Sequence, residues 1–174
     1  DRVSEIAEAP FWLVDPIDGT RDYIRGEATF AICIAHIEDC LPRFGLLAIP
    51  ALDKVYYAFR GQGAYEAELS NPSHVQPIKH PRPDRKLIAG ASSAPLSGKI
   101  KEVFKMFGVE EVKRFGSALK FAHLAKGEFD IFPRFGMTYE WDTAAGQLIA
   151  EEAGCVVMDI ETLQPLVYGK RAWE

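Results

Sequence analysis

Phe11-Trp12-Leu13-Val14-Asp15-Pro16-Ile17-Asp18-Gly19-Thr20 runs from four apolar residues into two carboxylates, and its reading decides the fold. The apolar run suits a strand, and the proline and glycine that follow suit a sharp bend after it. The proline ring fixes one torsion, and glycine lets the backbone approach a ligand closely. Ionised carboxylates are the ligands that magnesium prefers, and two of them three residues apart reach one ion only if the chain bends in this way. Thr20 adds a hydroxyl. The same residues also read as a strand followed by an ordinary acidic turn, and taken alone the segment leaves both readings open.

Composition sets the frame. The chain has 174 residues, 48% of them apolar and 26% charged, enough for one or two packed units. A net charge of −5 gives no footprint for a nucleic-acid polymer, so any nucleotide recognised is expected to be a small phosphorylated molecule. No apolar stretch approaches the roughly 20 residues that span a bilayer, which argues against stable membrane insertion. Asp1-Arg2-Val3-Ser4-Glu5 has neither the basic nor the apolar part of a secretion signal. The expected setting is cytoplasmic, with peripheral membrane association left open. Cys33, Cys40 and Cys155 are widely spaced and read as buried or half-buried thiols, and His36, His74, His80 and His123 show no ligand-like spacing.

From Thr29 to Tyr65 short apolar runs alternate with turn signals: Phe30 to Ile37, a break at Asp39 to Pro42, Gly45 to Ile49, and Val55 to Phe59 before Gly61-Gln62-Gly63. Antiparallel hairpins follow from that pattern. Residues 70–85, rich in proline and polar side chains, read as an exposed connection and a boundary between subdomains 1–84 and 85–174. Beyond it Leu87 to Ala89 suits a strand, and Ile100, Val103, Phe104 and Phe107 recur at helical spacing up to Gly108. Val109 to Phe115 suits a strand, Ser117 suits the cap of a helix bearing Ala118, Ala122 and Ala125, and Phe129 to Phe132 suits a further strand. The fold class is α/β, layered: an antiparallel sheet followed by a mixed α/β unit.

A third carboxylate, Asp142, stands in Glu140-Trp141-Asp142-Thr143-Ala144-Ala145-Gly146 at the start of a second alanine-rich helix. It reads either as a helix N-cap or as a metal ligand held at a helix start.

D-P-I-D-G-T followed much later by W-D-x-A-A-G resembles the inositol monophosphatase superfamily of metal-dependent phosphatases, across essentially the whole chain. Gly116-Ser117-Ala118-Leu119-Lys120-Phe121 and Phe132-Pro133-Arg134-Phe135-Gly136 make it most similar to the CysQ branch, the 3′(2′),5′-bisphosphate nucleotidases. The resemblance implies removal of the 3′-phosphate of adenosine 3′,5′-bisphosphate, a by-product of sulfate assimilation, with two or three Mg2+ ions in the complete protein. It also implies that Asp15, Asp18, Asp142 and the Ile17 carbonyl hold metal and that Thr20 orients the attacking water. Gly19 and Thr20 N–H groups would then hold the scissile phosphate.

Ser117 and Lys120, three apart on one helix turn, would meet a second phosphate together with Arg134. Arg21 either joins them or balances Asp22 and Glu27. Dimers are usual for related phosphatases, which makes a homodimer the expected assembly. The alternatives are an inositol or sugar monophosphatase of the same superfamily and, from another class, a non-catalytic nucleotide-binding regulator.

The match has gaps. The family carries a metal-binding and water-activating glutamate in an acidic stretch ahead of the apolar strand, and Glu5 and Glu8 stand too near Phe11 to take that part. The chain therefore reads as a fragment without the family's N-terminal helices. Related nucleotidases also carry S-R-S-H where this chain has Ala91-Ser92-Ser93-Ala94, so a histidine that could contact the nucleotide is missing.

Overall fold

Apolar and polar residues alternate through five runs between residues 11 and 68, and these runs fold as an antiparallel meander. In the computed structural model, residues 9–81, 84–92 and 94–170 are described. Strands β1 (Phe11–Asp18), β2 (Ala31–Glu38), β3 (Leu41–Ile49), β4 (Lys54–Phe59), β5 (Ala64–Glu68) and β6 (Gln76–Ile78) lie in sequence order in one sheet. In β2 the pattern is plainest: Ala31, Cys33, Ala35 and Ile37 are buried, and the residues between them face the other side. On that second side the Trp12 ring meets those of His36 and Phe44, and Phe44 meets Phe59, so ring contacts link four strands.

The break after β2 is shorter than the sequence suggests. Only Asp39 and Cys40 form the turn, at φ 51° and 62°, the two positive torsions that a tight two-residue hairpin requires. Pro42 lies inside β3, at a register irregularity where an amide is not demanded. Residues 70–85 are likewise not wholly a connection. Gln76–Ile78 form the edge strand β6, Ile78 is buried, and three residues with a central proline are too few to show periodicity.

The second half supplies β7 (Ile88–Ala91), α2 (Gly98–Met106), β8 (Glu111–Arg114), α3 (Leu119–Ala125) and α4 (Glu140–Glu152), and the short helix α1 (Thr20–Ile24) lies in the first. β7 and β8 pair in parallel across α2. Phe129 to Phe132 makes only an isolated bridge, Ala89 to Ile131, rather than a full strand. α3 begins at Leu119 behind Ala118, so Ser117 stands one residue ahead of the cap position. It is held there at φ 41° by its hydroxyl's bond to the Thr29 carbonyl.

α3 and α4 lie on the inward face of the meander and share one core with it, including Leu13, Leu47, Ile49, Leu119, Leu148 and Ile149. The approach is close because small residues face each other. A Cβ on Gly45 of β3 would sit 2.7 Å from the Ala145 carbonyl oxygen, and one on Gly146 would sit 2.2 Å from the Phe121 ring. Gly146→Ala tests this packing. Alanine is normally better than glycine inside a helix by about 1 kcal/mol. Here overpacking is expected to reverse the sign and cost about 1–3 kcal/mol in urea unfolding. A stabilised variant would show that α3 and α4 can separate freely.

Candidate metal centre and phosphate site

Residues three apart on a regular strand point to opposite faces, so Asp15 and Asp18 need an irregularity to share a site. The structure provides one. Pro16 has no N–H to give the ladder, and pairing that stops at Asp15 with Cys33 resumes only at Asp18 with Ala31. The bend expected after Val14 is therefore a bulge within β1, and the chain reverses later, at Gly19 with φ 79°. The Ile17 N–H donates to Asp15 Oδ1 at 2.9 Å, and the Thr20 hydroxyl donates to the Ile17 carbonyl at 3.0 Å. Both bonds pin the bulge from within.

From the other half, the loop ahead of α3 presses onto this turn. The Ala118 N–H donates to Asp18 Oδ2. A Cβ on Gly116 would lie 2.2 Å from Asp22 Oδ2, and one on Gly19 would lie 2.9 Å from Ser117 Cβ. Asp22 in turn accepts the Thr29 hydroxyl at 2.9 Å. Glycine at both positions lets two backbones separated by about a hundred residues come into contact.

Asp142 comes from α4, as its third helical residue rather than its N-cap, which is Tyr139. Its Oδ2 accepts the Tyr139 N–H at 3.1 Å, so the residue serves the helix start and faces the cluster at once. Ligand-type oxygens of Asp15, Asp18 and Asp142 lie within 4.8 Å of one another, all three side chains half-buried. That donor set, three converging hard oxygens, fits a hard divalent cation.

Burial raises the Asp18 carboxyl above its ordinary value, offset by the Ala118 N–H and Lys120, with Asp142 and Asp15 adding to the rise. Burial also raises Asp142, with Asp15 acting the same way and the Tyr139 N–H, Arg134 and Lys120 opposing it. Burial pushes the Lys120 ammonium down, and Asp18 pulls it back up. Beneath them Cys33 is buried and its thiol is raised, first by burial and then by the three aspartates, so it is no nucleophile.

The structure brings Lys120 to the cluster but does not place Ser117 on its helix turn. Lys120 Nζ donates to the Ser117 carbonyl and lies 5.7 Å from the centre of the Phe132 ring, while the Ser117 hydroxyl is engaged by Thr29. Arg134 is exposed in the loop before α4, held by Thr138 Oγ1 at 2.5 Å and the Met137 carbonyl at 3.0 Å. It is close enough to act electrostatically on Lys120 and Asp142. Arg21 is exposed and makes no ion pair among the described residues; Glu27 pairs with Arg25 instead. A groove of about 340 Å³ adjoins the loop, lined by Ala91, Pro95, Ile100, Phe132, Arg134 and Phe135. Sequence reasoning did not anticipate the groove, because its walls come from the end of β7 with the loop after it, from α2 and from the loop at 132–136. Nor did it assign Asp22 a part, although an acidic residue two beyond Thr20 was the available signal.

A model of the inositol monophosphatase family matches residues 2–173. The chain belongs to the inositol monophosphatase family. It is 37% identical over 149 residues to the 3′(2′),5′-bisphosphate nucleotidase CysQ of Salmonella typhimurium, covering 86% of this chain and 58% of that protein. The crystal structure of CysQ from Bacteroides thetaiotaomicron superposes with a TM-score of 0.84 at 31% identity, covering 94% of this chain and 66% of that one. The inositol monophosphatase from Anabaena superposes at 0.72 with 27% identity, covering 90% and 65%. The chain thus spans less than two thirds of the length of each of these relatives.

Crowded carboxylates give a measurable sign. A carboxyl raised in the folded state contributes stability that is present below its unfolded value of 3.8 and is lost as pH rises through the folded value. In chelator at pH 7.5, Asp142→Asn is therefore expected to melt above wild type, with the difference vanishing near pH ~4. With magnesium at about a hundredfold above its dissociation constant the order reverses, because wild type gains about 2.7 kcal/mol that the variant lacks. A variant that melts below wild type in chelator would refute the crowding.

Proposed function

We propose that the chain forms the metal- and phosphate-binding part of a magnesium-dependent phosphatase that converts adenosine 3′,5′-bisphosphate to AMP and inorganic phosphate. The convergence of Asp15, Asp18 and Asp142 beside Lys120 carries this reading. When bound, magnesium supplies charge neutralisation at the phosphoryl oxygens. Asp15, Asp18, Asp142 and the Ile17 carbonyl hold it. Hydrolysis forms a bond from a water oxygen to phosphorus and breaks the bond to the 3′ oxygen, which leaves as a hydroxyl after taking a proton.

Thr20 gives its own proton to the Ile17 carbonyl, so its oxygen lone pairs remain to accept from the attacking water. Gly19 and Thr20 N–H groups meet the scissile phosphate. Lys120 has three N–H donors and spends one on the Ser117 carbonyl. The other two, with Arg134, meet the second phosphate, and Arg21 stands at the outer edge. The apolar groove favours a nucleotide over an inositol or sugar phosphate, since flat walls such as Phe132 and Phe135 suit an aromatic base better than a ring of hydroxyls. The same reading makes the protein a cytoplasmic homodimer that acts on a small molecule.

Phosphate release by the whole gene product tests the proposal. Asp15→Asn and Asp18→Asn are each expected to lower kcat/KM for adenosine 3′,5′-bisphosphate by at least about 100-fold. Lys120→Ala is expected to cost about tenfold more with the bisphosphate than with inositol 1-phosphate. Equal losses on both substrates would remove Lys120 from the second phosphate. Nucleotide binding without any phosphate release would make the protein a regulator.

A further inference from the structure

Three backbone and side-chain ties meet at the end of α4 that carries Asp142, and none of them takes part in the reaction proposed above. Glu140, the first residue of the helix, is 2% exposed, and its two oxygens each accept a main-chain N–H: Gly169 at 2.7 Å and Lys170 at 3.0 Å. Tyr168, 1% exposed, donates its hydroxyl to Gln147 Oε1 at 2.5 Å, with Thr143 Oγ1 3.3 Å from the same oxygen. Its own N–H donates to the Cys40 carbonyl at 3.0 Å, in the turn between β2 and β3.

The segment 168–170 therefore grips the first two turns of α4 and fastens them to the sheet that bears Asp15 and Asp18. Gly169 has φ 89°, a conformation that lets it and Lys170 present consecutive N–H groups to one carboxylate. A buried carboxylate needs such donors, and two of them with short bonds give a stiff joint. Asp142 stands two residues beyond that joint.

We propose that Glu140 is a positioning residue for Asp142: clamped by the Gly169 and Lys170 amides, it sets the distance from the α4 start to the bulge of β1, and so the affinity of the three-aspartate site for its cation. The inference rests on the reading that Asp15, Asp18 and Asp142 hold a divalent cation, and it requires no particular substrate.

Magnesium binding measured by calorimetry on the whole protein without substrate keeps the two readings apart. Glu140→Gln removes one of the two acceptors and is expected to weaken magnesium binding about tenfold. With magnesium raised to saturation, the KM for substrate stays at the wild-type value. Tyr168→Phe loosens the same clamp while leaving the carboxylate intact, and a smaller weakening of about threefold is expected, in the range of a lost hydrogen bond.

Glu152→Gln is the comparison, because Glu152 accepts the Gly61 and Gly63 N–H groups at 2.8 and 2.9 Å at the opposite end of α4, away from the clamp. It lowers the melting temperature and leaves magnesium binding unchanged. Unchanged binding in both Glu140→Gln and Tyr168→Phe would overturn the proposal, as would a weakening in Glu152→Gln that tracks its loss of stability. If Glu140→Gln does not fold, Tyr168→Phe decides the matter by itself. Failure of wild type to bind magnesium at all would overturn the metal reading and this inference with it.

Discussion

Three aspartate oxygens held within 4.8 Å of one another repel, and much of the surrounding structure exists to hold them there. The meander brings Asp15 and Asp18 to one side through a bulge. α4 brings Asp142 from the other half, and the Ala118 and Tyr139 amides each neutralise part of a carboxylate. Burial still raises Asp18 and Asp142, so the arrangement is unfavourable for the protein alone. The packing of α3 and α4 against the sheet offsets that cost. The close approaches at Gly45 and Gly146 are where it does so most directly.

Much of this could be read from residue order. The alternation through residues 30–59 foretells hairpins because one face of an antiparallel sheet is buried and the other is not. The two acidic motifs are joined by their resemblance to the inositol monophosphatase superfamily, since taken singly one also reads as an acidic turn and the other as a helix cap. Less legible was how the site is assembled. Asp15 and Asp18 look like a bend, and only the ladder shows a bulge inside the strand. Ser117 looks like a helix cap, and its Oγ does accept the Leu119 N–H at 3.3 Å from one residue ahead of the cap position, but its proton goes to the Thr29 carbonyl across the fold. Such long-range bonds leave no local pattern. β6 escaped notice for the opposite reason, being too short for any pattern to form.

Lys120 shows how a single charge can answer to two demands. Burial lowers its ammonium and Asp18 works against that fall. Placed beside the Phe132 ring and fixed by the Ser117 carbonyl, it presents its remaining donors in a narrow range of directions. Arg134, exposed and held within its own loop, adds a second cation with more freedom. A site built this way joins one rigid positive group to one adaptable group, which suits a ligand whose distal charge must settle after its reactive end is placed.

The contact between Asp18 and Ala118 spans 100 residues of chain, and the one between Asp18 and Asp142 spans more. A cation shared by those aspartates therefore closes a very long loop, as a disulfide would, but through a bond that can be withdrawn. Closing so long a loop costs the unfolded chain entropy that grows only slowly with length. A cation in the site would thus restrain the two halves of the molecule together.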